Sequence, residues 1–195
     1  MPNCIVKEKS AKYIESKSKF YSYSFFCDSV DRQNEILKSL RQKHIGCTHV
    51  CFASSIDEGE IKLYSSDDRE PSGTAGAQLA SVLKKNDLVN VLLVVVRFFG
   101  GVKLGVQNLS HAYKLSGEMC IENNTHPVEK YFKYKASSSY ENFDAIKRVV
   151  IKSGLKIFDE QFDENINFSM FLTEKTEILL KNLCYFEKTD EFSYL

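Results

Sequence analysis

Two glycine-bearing strings near the middle of the chain carry the side chains best placed for chemistry. They are Asp67-Asp68-Arg69-Glu70-Pro71-Ser72-Gly73-Thr74-Ala75-Gly76 and Arg97-Phe98-Phe99-Gly100-Gly101-Val102-Lys103-Leu104-Gly105. In the first, Pro71 fixes φ and Gly73 permits a bend beside it, so Ser72 or Thr74 is positioned to cap a following helix. A turn entering a helix N-terminus presents backbone N–H groups beside a partial positive charge, which suits a phosphate or a carboxylate. A structural reading stands beside that one: the hydroxyls simply cap, and Gly76 lets helix and sheet pack closely. In the second string, adjacent glycines allow a sharp turn or close approach to a ligand, with Arg97 and Lys103 as flanking cations. Neither the phosphate-loop spacing nor the dinucleotide fingerprint is present. Arg97 closes an apolar run, and a buried guanidinium needs partners. Asp67, Asp68 and Glu70 are candidates, so an ion pair knitting the two strings together is the alternative to an anion site.

Other constellations are weaker. His49, Asp67, Asp68 and Glu70 form a polar set that could serve acid–base chemistry on a small phosphorylated or acidic substrate. His44, Cys47, His49 and Cys51 are ligand types that suit zinc, but their spacing matches no standard module and ligands two apart in a strand splay too widely. No metal and no cofactor is assigned. A Cys–His nucleophile pair lacks an orienting acid and an oxyanion partner. The six cysteines read as free thiols of a reducing compartment.

The elements that must position these residues can be read from periodicity. Tyr21, Tyr23, Phe25 and Cys27 alternate as in a strand, and Asp31 is placed to cap a helix to about His44. Thr48–Ile56 and Ile61–Tyr64 predict a hairpin. Val91–Arg97 predicts a buried central strand, followed by a helix with Leu109, Ala112, Tyr113, Ser116 and Cys120 on one face. Residues 122–128 read as a linker, which divides the chain into parts 1–125 and 126–195. The second part predicts a β-α-β-β-α order, with a helix ending at Gly154 and a last helix capped by Thr173. That order suggests an α+β sandwich of ferredoxin-like type.

The chain has 195 residues, with 26 basic and 26 acidic side chains. Its two parts carry 16 against 14 and 10 against 12 basic and acidic residues, so neither is a polybasic arm. An apolar fraction of 43% excludes a disordered tail protein. The longest apolar run, Val91–Val96, falls far short of the roughly 20 residues of a helical membrane span. The charged N-terminus offers no apolar signal core, and a cytoplasmic location is expected.

The strings CTHVCFA (residues 47–53), DDREPSGTAG (67–76) and VVVRFFGGVKLG (94–105), followed by LSHAY (109–113), resemble the YigZ/IMPACT family. The resemblance implies a first domain with the ribosomal-protein-S5 domain-2-like fold and a second like the C-terminal ferredoxin-like module of the translocation elongation factor. It also implies a role in regulating translation initiation, with RNA, the ribosome or a protein of translation control as partner and no established reaction. Arg69 stands where the family pattern has glycine, Gln107-Asn108 where it has two more, and His111 where it has arginine. The anion- or nucleic-acid-binding set expected on this basis is Arg69, Ser72, Gly73, Thr74, Gly76, Arg97, Gly100, Gly101, Lys103, Gly105 and His111. This expectation requires that the two glycine corners meet in space and keep free N–H donors.

Overall fold

The computed structural model describes residues 1–194, and the chain divides into two units, Met1–Pro127 and Val128–Leu195. In the first unit, β1 (Asn3–Ile5), β2 (Lys9–Glu15) and β3 (Ser18–Phe26) precede α1 (Val30–Lys43), then come β4 (His49–Asp57), β5 (Ile61–Ser66), α2 (Gly76–Lys85), β6 (Val91–Phe98), α3 (Val106–Ile121) and β7 (Thr125–Pro127). Five strands form one sheet in the order β2-β3-β6-β4-β5, each neighbouring pair antiparallel. β6 lies at its centre and is buried from Val91 to Arg97, which explains its unbroken apolar run.

The two faces of β6 serve different layers. Leu92, Val94 and Val96 pack with Ile36 and Leu40 of α1, whereas the intervening residues face α2 and α3. Gly117 of α3 shows how tight that second layer is, since a Cβ there would lie 2.9 Å from Leu79 Cδ2 and 3.7 Å from Leu93 Cδ1.

Several expectations needed revision. Ser29, not Asp31, caps α1, its side chain accepting from the Arg32 N–H; Asp31 lies in the first turn, where its charge favours the dipole. The segment read as a linker contains β7, which pairs antiparallel with β1 through Asn3–Pro127, Cys4–His126 and Ile5–Thr125. The charged N-terminus contributes strands β1 and β2, and β2 is an edge strand.

In the second unit, β8 (Lys130–Ser138), α4 (Tyr140–Lys152), β9 (Ile157–Phe162), β10 (Ile166–Leu172), α5 (Glu174–Leu180) and β11 (Tyr185–Tyr194) form an antiparallel sheet of order β11-β8-β10-β9. The last strand extends the β-α-β-β-α order. The core joins Phe143, Ile146 and Val150 of α4 with Ile166, Phe168, Met170 and Leu172 of β10 and Leu180 of α5. Thr173 caps α5 as expected, accepting from the Thr176 N–H, and α4 gives way to Gly154 at positive φ. The molecule is an α+β protein, and among the described residues no helix is long and apolar enough to cross a membrane.

Candidate functional site

The first corner leaves β5 at Ser66 and turns into α2 through an internal anion. Asp67 folds its carboxylate back over the loop, Oδ2 accepting from Gly73 N–H at 2.8 Å and Oδ1 from Ala75 and Gly76 N–H at 2.9 and 2.8 Å. The N-cap residue is Ala75 and no side chain of the adjacent turn caps the helix; Thr74 instead bonds Pro71 O through both N–H and hydroxyl. The expectations that Ser72 or Thr74 caps α2, and that this corner keeps free N–H donors, are therefore corrected. The donors exist as predicted, but a carboxylate nine residues upstream already occupies them. Close helix–sheet packing by Gly76 is also realised, since a Cβ there would meet the Ser66 backbone at 2.8 to 3.0 Å.

Asp68 and Glu70 are likewise committed. Asp68 Oδ2 accepts from Val50 N–H at 2.7 Å and pairs with Arg41 at 3.1 Å, while its carbonyl lies 2.8 Å from His49 Nδ1. Glu70 Oε1 accepts from Arg97 Nη1 at 2.7 Å and from the Tyr113 hydroxyl at 2.8 Å, with His49 Nε2 at 3.7 Å. Arg97 also donates from Nη2 to Ser18 Oγ at 3.2 Å. Arg97 and Glu70 are both buried, so Arg97 is not an anion ligand at the surface; it holds the two corners together, as the ion-pair alternative required. The corners thus meet through the Glu70–Arg97 pair.

Behind this pair, Cys51 Sγ donates to Asp67 O at 3.0 Å and to the Tyr113 hydroxyl at 3.3 Å. Burial pushes the Cys51 thiol up to about 12, reinforced by the carboxylates of Glu70, Asp68 and Asp67 and opposed by the Tyr113 hydrogen bond. A thiol that resists ionisation is a poor nucleophile. Burial, with Cys51 and Glu70, also raises the Tyr113 phenol. Ser18, Cys51 and Tyr113 did not stand out in the sequence as members of the cluster. Tyr113 signalled itself only as part of an apolar helix stripe and as the last residue of the LSHAY string.

The second corner differs. Phe99 N–H donates to Thr48 Oγ1 at 3.0 Å and Gly100 N–H to Ser18 Oγ at 3.2 Å, but no described hydrogen bond uses the N–H of Gly101, Lys103 or Gly105. Gly105 is the N-cap of α3 and no side chain caps that helix. Lys103, Gln107, Asn108 and His111 are exposed around it. Asn108 uses its amide on Leu104 O at 3.1 Å. Arg69 is exposed on the first corner, with its backbone at φ 71°. Among the described residues no group of three or more His, Cys, Asp or Glu is arranged to hold a metal ion.

The Impact N-terminal domain matches residues 16–121, the stretch that carries both corners, and the chain belongs to the IMPACT family. It is similar to the IMPACT family member YvyE of Bacillus subtilis, 31% identical over 163 residues that cover 82% of this chain and 74% of that protein. An IMPACT family member of Haemophilus influenzae is 28% identical over 175 residues, covering 86% and 84%. The crystal structure of a hypothetical protein, 21% identical, covers 97% of each chain with a TM-score of 0.69 and has the same fold.

Proposed function

We infer that this protein is a non-enzymatic factor of translation control that engages RNA or the ribosome through its second glycine corner. The translation link rests on the family, whose eukaryotic members are tied to regulation of initiation. The fold reading is consistent with it: the first unit as an S5 domain-2-like module, and the second, with its β-α-β-β-α-β order, as a ferredoxin-like sandwich.

The observation that carries the reading is the fate of the carboxylates. Asp67, Asp68 and Glu70 are all engaged by internal donors, so the acid–base candidates of an enzyme are spent on structure. What stays open to solvent is Gly101, Val102, Lys103 and Gly105, with Leu104 turned inward and His111 exposed beside the uncapped start of α3. Such an arrangement suits phosphate oxygens. So few cations predict moderate affinity and a shallow dependence on salt.

The test is cosedimentation with purified ribosomes and binding of labelled RNA at two ionic strengths, comparing the native chain with Lys103→Glu. The native chain binds at low salt and the variant binds more weakly. Absence of binding to either target at low salt overturns the reading.

A further inference from the structure

Beside the second corner lies a surface that the glycine strings alone do not describe. β2 and β3 are joined by a tight turn in which Ser16 and Lys17 both adopt positive φ, 46° and 67°. This turn is clamped against Gly100, whose missing Cβ would lie 2.1 Å from Lys17 C and 2.4 Å from Lys17 O. The clamp fixes Lys17 and Lys19 beside the end of β6. Lys17, Lys19, Tyr21, Phe98 and Phe99 line a shallow recess of about 240 Å³.

Charge on this surface has one sign. Lys12 lies over the Tyr21 ring at 5.5 Å and Lys43, from the end of α1, over the Tyr23 ring at 5.1 Å. Among the described residues none of Lys12, Lys17, Lys19 and Lys43 pairs with a carboxylate. The hairpin from Lys9 to Phe26 contains one carboxylate, Glu15. Its alternation places it on the opposite face with Tyr13, whose hydroxyl donates to it at 2.8 Å. Phe99 is 46% exposed, its ring lying over the Arg97 guanidinium at 5.5 Å.

We propose that the β2–β3 turn, the end of β6 and the end of α1 form a stacking platform for single-stranded nucleic acid. Lys17 and Lys19 hold phosphates, and the exposed Phe99 presents its ring to an unstacked base, while Tyr21, packed against His44 and Phe98, backs the recess. The proposal rests on the nucleic-acid reading above and extends it to a second surface, contiguous with the corner through Gly100. Interleaved lysines and rings favour a single strand over a duplex, whose bases are already stacked. They favour it over an acidic peptide as well, because a carboxylate chain gains from the lysines but has nothing to place on Phe99.

The test is fluorescence anisotropy of a labelled oligouridylate of about 12 nucleotides, at low and moderate salt, with the whole chain. Variants are Lys17→Glu with Lys19→Glu, Phe99→Ala, and Lys103→Glu; circular dichroism checks that each is folded. All three lysines and Phe99 are exposed, so folded variants are expected. The charge-reversed pair loses roughly tenfold or more in affinity with a smaller salt slope. Phe99→Ala loses about fivefold or more at unchanged slope, and a duplex of the same length binds more weakly than the single strand. Binding that is lost only in Lys103→Glu overturns the platform and leaves the corner reading intact, whereas no binding by the native chain overturns both. Displacement of the probe by polyglutamate as effectively as by unlabelled oligouridylate, with Phe99→Ala unchanged, makes the surface a peptide-docking one and overturns the proposal.

Discussion

Glu70 and Arg97 meet at 2.7 Å with 4% and 5% of their side chains exposed; Glu70 comes from the loop that enters α2 and Arg97 from the end of the central strand β6. Breaking a buried pair leaves an uncompensated charge. Glu70→Gln is therefore expected to lose about 3 kcal/mol of stability, and Arg97→Met with Glu70→Met considerably less. Urea unfolding of both variants measures the difference; equal losses would show that the charge is not the source of the effect.

Asp67 supplies the second prediction. Burial raises this carboxyl, but the hydrogen bonds from Gly73, Ala75 and Gly76 together outweigh it, so the group sits below its ordinary value. A folded value below the unfolded one means that the stabilisation is complete above the unfolded carboxyl's pKa of about 3.9 and is lost as the pH falls through the folded value. Asp67→Asn is expected to cost about 1 to 2 kcal/mol at neutral pH. The gap from the native chain closes as acid unfolding curves descend below about pH 4. A gap that stays constant through that range would argue against capping by the charged form.

Gly100→Ala tests the clamp. With Lys17 backbone atoms 2.1 and 2.4 Å from the new methyl carbon, the turn has to move, and the loss is on the order of 3 kcal/mol. Thermal unfolding should show a Tm lowered by about 10 °C, and Lys17 should become more accessible to amine-modifying reagents.

Arg69 has φ 71°, in the left-handed region, without glycine's freedom. Arg69→Gly removes that strain and is expected to raise stability by about 1 kcal/mol, seen as a higher urea midpoint. A lower midpoint would mean that the guanidinium makes a compensating contribution.

Cys51 should resist alkylation by iodoacetamide in the folded protein, its thiol being buried and pushed up to about 12, whereas the partly exposed Cys47 should react first. Peptide mapping after brief treatment distinguishes them.

Much of this architecture is legible in the residues. β6 is written as a continuous apolar run rich in valine, β10 as a strict alternation from Ile166 to Leu172, and α4 as an apolar stripe stopped by Gly154. Elements stabilised at a distance are harder to see. β2 is an edge strand whose lysines and serines satisfy an exposed margin rather than a core, and β1 depends on a partner strand more than a hundred residues away. The site shows the same division. A helix start could be inferred at Gly76, but local reasoning favours a hydroxyl two or four residues before it, Thr74 or Ser72, and here a carboxylate reaches across a loop. Arg97 announces that it needs a partner; that Glu70 is that partner, with Ser18 and Tyr113 completing the set, follows only from the tertiary fold, in which β3 pairs with β6 and the β5–α2 loop and α3 close over its end.

The pairing of β1 with β7 also bears on how the first unit matures during synthesis. Asn3, near the start of the chain, cannot find Pro127 until the whole unit has left the ribosome. The closing step of this unit thus comes last, after the central strands have assembled, and bears the entropy of the longest loop in the unit. Nascent chains halted before residue 125 would leave Cys4 and Ile5 without their antiparallel partner while Asn3 could still bond the Asp87–Val89 backbone, and full protection of the segment from protease would come only after β7 had emerged.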